Sequence, residues 1–252
     1  MRLLLALFLF CSLGYAEVFY GGYGRIAHIA DGGGIRTEFE FTNLDNTPCR
    51  YALHFLDDNG NPLSLVTDWG TSSSIDGVLA PHQRQSILTA GTAATWTQGW
   101  AYVVAGCVVG TSATLRFSTG QWAGSEAVVP SDTWSNNRFA LPFDHTNSVV
   151  IGLALVNPTN HPIAVTVIFR GEDGGVIITD TFSMGPFSHR AFGTTSSYPV
   201  TANQRGTIEI STTASYMSVL ALRFSSSTVS SVPLLVSNQW AVPDNSCLVC
   251  WD

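Results

Sequence analysis

Lysine is absent from this chain of 252 residues. All 11 basic residues are arginine, set against 18 Asp and Glu, and the formal net charge is −7. Without lysine there is no Schiff-base chemistry, no P-loop lysine and no Lys–Asn isopeptide cross-link. A chain this acidic lacks the electrostatic footprint for nucleic acid or an anionic membrane. Charge of either sign is scarce, at 12% of residues, while Ser, Thr and Gly are abundant. That composition is common in exported β proteins and argues against disorder. Beyond the N-terminus, no apolar run approaches the length that spans a bilayer. There is no Gly-x-Ser-x-Gly elbow, no His-Glu-x-x-His pair and no second Cys-x-x-Cys, so the usual signatures of serine hydrolases and zinc sites are missing. No amphipathic helical pattern exceeds about two turns.

What is present starts with export. Arg2 supplies a positive charge, residues 3–13 an apolar stretch, and Gly14-Tyr15-Ala16 a small-x-small site before Glu17. Residues 1–16 therefore read as a secretory signal peptide. A lipid anchor on Cys11 is disfavoured, because Phe10 precedes it where a small residue is expected. Export exposes the other cysteines, Cys49, Cys107, Cys247 and Cys250, to an oxidising compartment and makes disulfides the expectation.

The remainder reads itself twice. The run from Asn43 to Gly60 matches that from Asn157 to Gly174 at an offset of 114 (Asn43 against Asn157). Leu115-Arg116-Phe117-Ser118 recurs as Leu222-Arg223-Phe224-Ser225, at an offset of 107 (Leu115 against Leu222). A period of this size is that of a whole domain and not of a solenoid unit. Strands dominate both copies. Ile35, Thr37, Phe39 and Phe41 alternate with Arg36, Glu38, Glu40 and Thr42, giving one face for the core and one for water. Cys49, Tyr51, Leu53 and Phe55 form the next core face, followed by a turn at Asp58-Asn59-Gly60 and a hairpin partner at residues 62–66. Copy two repeats this with Ile163, Val165, Val167 and Phe169, and residues 176–179 returning. The expected fold is all-β: two tandem Ig-like β-sandwich domains from an internal duplication. Domain one covers 17–130, domain two 131–240 and a C-terminal tail 241–252, with residues 130–137 as the linker. The Trp that an antibody-type domain packs on its disulfide is missing at the expected distance after Cys49.

The chain resembles uncharacterised exported bacterial proteins that carry tandem copies of such a β-sandwich. The resemblance rests on Ala30-Asp31-Gly32-Gly33-Gly34, Thr42-Asn43, Asp57-Asp58-Asn59-Gly60-Asn61-Pro62 and the two Leu-Arg-Phe-Ser strands. These motifs are structural, and the resemblance implies no activity.

Few residues point to chemistry. Cys49 and Cys107 share core-facing parity, and copy two has Ile163 and Ala214 in their places, so a Cys49–Cys107 staple is expected. Cys247-Leu-Val-Cys250 has no following helix to stabilise a thiolate and no further zinc ligands. It reads as a local disulfide, or alternatively as a cross-link to another chain. Asp57, Asp58, Asn59 and Asn61 look faintly like a calcium loop. Pro62 interrupts it, and Asp68 stands where a bidentate Glu is needed, so a hairpin turn is expected. His28 lies near Asp31, and His145 beside Asp144; either pair could serve acid–base work, but both Asp are expected to bond turn amides. Gly32-Gly33-Gly34 is no nucleotide loop, since no helix follows it.

The aromatic asymmetry is the best functional hint. Trp69, Trp96, Trp100, Trp122 and Trp134 fall in or just after copy one. Trp100 and Tyr102 take outward parity on their strand, where copy two has Thr207 and Glu209. Trp96, Trp100 and Tyr102 are thus the candidate ligand or partner surface, with packing against loops or copy two as the competing outcome. A second asymmetry is apolar: Val150, Gly152 and Ala154 point outward where copy one has Arg36, Glu38 and Glu40, so that face should be covered.

The expectation is an exported, non-enzymatic β-sandwich module for adhesion, surface assembly or envelope structure, located in the periplasm, on the cell surface or outside the cell. The partner is an unknown protein or polysaccharide, with no nucleic acid and no transmembrane segment. No catalytic residue, cofactor or metal is assigned. One alternative is a carbohydrate-binding protein using Trp96, Trp100 and Tyr102. A second is a hydrolase whose site, near His28 and Asp31, is assembled from distant residues.

Overall fold

The computed structural model describes residues 23–132 and 136–236. The expected signal peptide at 1–16, Trp134, and the tail with Cys247 and Cys250 lie outside the described residues.

The described chain is all-β and antiparallel, in facing sheets. The first half contains β1 (Tyr23–Asp31), β2 (Ile35–Asn43), β3 (Cys49–Leu56), β4 (Leu65–Thr67), β5 (Gly70–Ser72), β6 (Ser74–Leu79), β7 (Arg84–Leu88), β8 (Thr97–Ala105), β9 (Val109–Phe117) and β10 (Glu126–Asp132). The second contains β11 (Arg138–Asp144), β12 (Val150–Val156), β13 (Ile163–Gly171), β14 (Val176–Met184), β15 (His189–Gly193), β16 (Arg205–Thr212), β17 (Ser218–Phe224), β18 (Val229–Ser231) and β19 (Leu235–Val236). The one described α-helix, α1 (Thr194–Ser197), is a single turn.

In the first half the order is β6-β3-β8-β1 and β10-β9-β2-β7. The two sheets join at one edge, where Arg25 pairs Asp132 and Ile26 pairs Ser131. The second half has β14-β13-β16-β11-β19 and β15-β12-β17-β18. If β11, β12, β13, β14, β15, β16 and β17 are set against β1, β2, β3, β6, β7, β8 and β9, the two orders coincide. The long strand β10, which pairs both β9 and β1, has its place taken by two short ones, β18 on β17 and β19 on β11.

Period-two alternation builds both cores. On β2, Thr37, Phe39 and Phe41 are buried, and on β3 Cys49, Tyr51, Leu53 and Phe55. On β13 the buried set is Ile163, Val165, Val167 and Phe169. Cys49 and Cys107 form a disulfide with Cα atoms 5.7 Å apart, as expected from parity. Ile163 and Ala214 fill the corresponding places and are buried.

Three expectations need correction. Residues 62–66 return along β3 only at their start, where Pro62 bridges Leu56 and the Leu63 amide donates to the Phe55 carbonyl; the ladder partner of β3 is β6, which pairs Cys49 to Leu79 through His54 to Ser74. Between them lies an extra small hairpin, β4–β5, which the second half lacks among its described residues. The linker is shorter than 130–137, because β10 continues to Asp132. The two Leu-Arg-Phe-Ser strands are not in the same register. Leu115 pairs Thr37 on β2, but the residue opposite Ile151 on β12 is Arg223 and not Leu222. Thr37 and Ile151 are themselves 114 apart, so Leu222 and Phe224 are displaced by one position. A one-residue slip turns every side chain to the other face, and the consequence appears at the contact between the halves.

Candidate functional site

The outward face of the β15–β12–β17 sheet is apolar. It presents Val150, Gly152, Ala154 and Val156, Ala191 and Gly193, and, through the slipped register, Leu220, Leu222 and Phe224. The same face in the first half is ionic: Arg116 donates from Nε to Glu38 at 2.8 Å and also pairs with Glu126, and Arg84 pairs with Glu40. The apolar face is covered, as expected, and its cover is the first half. Ala154, Val156, Leu220, Leu222 and Val229 belong to the same buried cluster as Ile26, Ile29, Phe39 and Leu53. Strand β1 is therefore buried on both faces from Gly24 to Asp31. At Gly152 a Cβ would lie 2.7 Å from the Phe224 ring, so only glycine lets that ring rest on the strand.

Directed bonds fix the seam. Trp100 Nε1 donates to the Phe187 carbonyl at 2.8 Å, and Trp122 Nε1 to the Ser225 carbonyl at 2.9 Å. The His189 amide donates to the Asp58 carbonyl at 3.0 Å. The turn at Gly60 (φ +82°) lodges against the Pro186-Phe187 turn, where a Cβ would come within 2.8 Å of Phe187.

A polar chain crosses this seam. The Asp58 carboxylate accepts from His189 Nδ1 at 2.7 Å and from Gln98 Nε2 at 2.9 Å. His189 Nε2 stands 3.1 Å from Nδ1 of His28 on β1, with the two rings stacked. Burial works to raise the Asp58 carboxyl, but hydrogen bonds from His189 and Gln98 outweigh it and hold it below its ordinary value. Burial, with help from the neighbouring His189, pushes His28 down to about 3, so its ring is neutral. Ionised Asp58 accepts from His189 Nδ1; in the tautomer in which His189 Nε2 accepts from His28 Nδ1–H, His28 is left with Nε2 as an acceptor.

Two cavities open beside His28. One, of about 360 Å³, lies between His28, Trp96 and Gln98 above and the face of Gly152, Ala154 and Leu220 below. The other, of about 710 Å³, runs along Ile35, Phe117 and Trp122 toward Ser148, Val150 and Ser225. His28, Trp96, Gly193, Leu222 and Phe224 line both. Neither lining contains Asp, Glu or Arg. A separate concavity holds Glu172 and Glu209, but Glu209 is tied to Arg170 at 2.8 Å.

The structure separates the three aromatics singled out from sequence. Trp100 does point away from its own core, but the second half covers it and leaves it 1% exposed, so it offers no free ligand face. Trp96 is 55% exposed at the cavity mouth. Tyr102 lies in a stacked strip, 4.6 Å from His54 and 5.9 Å from Tyr23 by ring centroids. Asp57 behaves as a turn residue, its Oδ1 accepting from the Asn59 and Asn61 amides. Asp31 accepts from the Gly91 amide at 2.7 Å, and Asp144 from the Thr146 amide at 2.9 Å, so neither pairs with its neighbouring His. His145 instead bonds Thr194 and Thr201 inside the second half.

Sequence reasoning gave His189, Phe224 and Trp122 no functional role. The only legible signals were the crowding of Trp in copy one and the apolar outer face of β12. Compared with known proteins, the chain matches no family model and no curated protein sequence. Among the described residues, no helix is long and apolar enough to cross a membrane.

Proposed function

We propose that this is an exported, non-enzymatic module for adhesion, surface assembly or envelope structure, made of one β-sandwich duplicated in tandem. Supporting the duplication are the coincident strand orders and a shared buried asparagine. Asn43 Nδ2 donates to the carbonyls of Thr47 and Ala80, and Asn157 Nδ2 to those of His161 and Gly185. Each side-chain oxygen accepts the amide two residues on, Asp45 or Thr159. The sandwiches are Ig-like in their two-sheet architecture only.

The observation that carries the structural reading is the seam. The outer sheet of one half is committed to burying the edge of the other, and two indoles lock the pair, which suits a part that holds a fixed geometry in an assembly. The disulfide and the N-terminal apolar segment support export. The two-carboxylate hydrolase reading gains no support at the seam, where the described cavity lining around His28 contains no Asp or Glu. The carbohydrate reading keeps one specific observation, the Tyr23–Tyr102–His54 strip on the outer face of β8. Cell fractionation with surface labelling tests the leading reading. It expects the chain in the envelope or outside the cell, with no turnover of ester or glycoside substrates; cytoplasmic retention or turnover would contradict it. Quenching of tryptophan fluorescence by a polysaccharide, abolished by Tyr102→Ala, would shift the reading to sugar binding.

A further inference from the structure

We propose that the cavity between the halves binds a small apolar molecule carrying a hydroxyl donor, a phenol or an alicyclic alcohol, whose O–H is received by Nε2 of His28. This goes beyond the envelope role and does not depend on it.

Space and lining come first. The two hollows of about 360 and 710 Å³ meet at His28 and fall in the range of small-molecule sites. Their walls are mostly indole, phenyl and aliphatic, from Trp96, Trp122, Phe117, Phe224 and Leu222, with uncharged polar side chains (Gln98, Gln121 and three serines) among them. No charged side chain lines them, so an ionic ligand would lose its hydration and gain no partner. Glycines at 33, 152 and 193 keep the walls back.

His28 then supplies the specificity. It is 8% exposed, and both cavities open onto it. Its Nδ1 is committed to His189 at 3.1 Å, and among the described residues its Nε2 has no hydrogen-bond partner. Nε2 faces the cavity and is not sealed off: it is absent from the fully enclosed side-chain atoms that lack a partner, so it is open to whatever fills the cavity. Water can meet it there, and a ligand that displaces that water must replace its hydrogen bond. We take the tautomer in which Asp58 accepts from His189 Nδ1 and His189 Nε2 accepts from His28 Nδ1–H, which makes His28 Nε2 the acceptor. Burial holds the ring neutral, which keeps that lone pair available. The ligand must therefore bring a donor on an otherwise apolar body. An ether or hydrocarbon of the same shape lacks the donor and leaves Nε2 unsatisfied.

The test uses the intact chain and three probes of one shape: 2-naphthol, 2-methoxynaphthalene and naphthalene, titrated by calorimetry and by tryptophan fluorescence. The expected result is saturable binding of 2-naphthol about tenfold or more tighter than of its methyl ether or of naphthalene. His28→Leu should bring naphthol down to the level of the ether while leaving the ether unchanged. Should that variant fail to fold, Leu222→Trp, which fills the cavity and leaves His28 in place, should abolish binding of all three. Equal affinities in the unaltered protein, a preference for the ether, a naphthol preference that survives His28→Leu, or no saturable binding of any probe would each overturn the proposal. Localisation is read by fractionation, so failure of either proposal leaves the other standing.

Discussion

Two residues show how much single side chains carry here. Asn43 and Asn157 are fully buried, and each bonds backbone groups of its own loop and of the turn after β6 or β14. Asn157→Ala would strand several buried backbone groups at once. Its expected cost is about 2–4 kcal/mol in urea unfolding, and Asn157→Asp should not rescue it, because the carboxylate cannot donate. A cost below about 0.5 kcal/mol would show that water satisfies those groups. His28 sets a pH dependence. Its folded value of about 3 lies below the ordinary 6.5, so between those values the unfolded chain binds a proton that the folded chain does not. Its contribution to stability is therefore complete above about pH 6.5 and falls as the pH drops toward 3. Unfolding midpoints measured from pH 7 to pH 4 should decline less in a folded His28→Asn variant than in the unaltered protein. Identical slopes would contradict the burial argument.

At the scale of elements, legibility followed the number of wet faces. Strands β2 and β3 have one face in the core and the other partly open to water, so their alternation marked the core positions from Thr37 to Phe41 and from Cys49 to Phe55 correctly. Strand β17 is buried on both faces, with Val219 and Ala221 in its own core and Leu220 and Leu222 at the seam. Its apolar run carries no parity, so matching Leu222-Arg223-Phe224-Ser225 to the first copy by letters set it one residue out of register. The β4–β5 insertion was invisible for a different reason: residues 62–66 are extended and near a turn, as a hairpin partner would be. The Asp58–His189–His28 chain joins residues 131 and 161 apart, and no local pattern reports such a meeting. The cover over Val150, Gly152 and Ala154 was predictable because an apolar second face must be buried, though what buries it was not. Leu222→Asp tests the seam directly. A carboxylate there should destabilise by roughly 2–4 kcal/mol and expose dye-binding apolar surface, while Arg116→Ala on the wet face of β9 should stay within about 1 kcal/mol. Equal effects would mean that the seam is not buried in solution.

The described residues form two all-β halves with a common strand order, and the halves meet through features found in only one of them each. The first half brings Trp96, Trp100, Trp122 and the doubly buried β1; the second brings an outer sheet face without charge. The proposed duplication explains the common scaffold, and the divergence between the copies lies where they touch. That contact encloses the cavities and aligns His28 with His189 and Asp58, so both functional proposals stand on it. The most direct test is indole N–H exchange on the intact, nitrogen-15-labelled chain, with peaks assigned by single Trp→Phe substitutions. Slow exchange is expected for Trp100, whose N–H is buried against the Phe187 carbonyl, and exchange within the dead time for the exposed Trp69 and Trp96. Exchange of Trp100 as fast as that of Trp96 would contradict the docking of the halves.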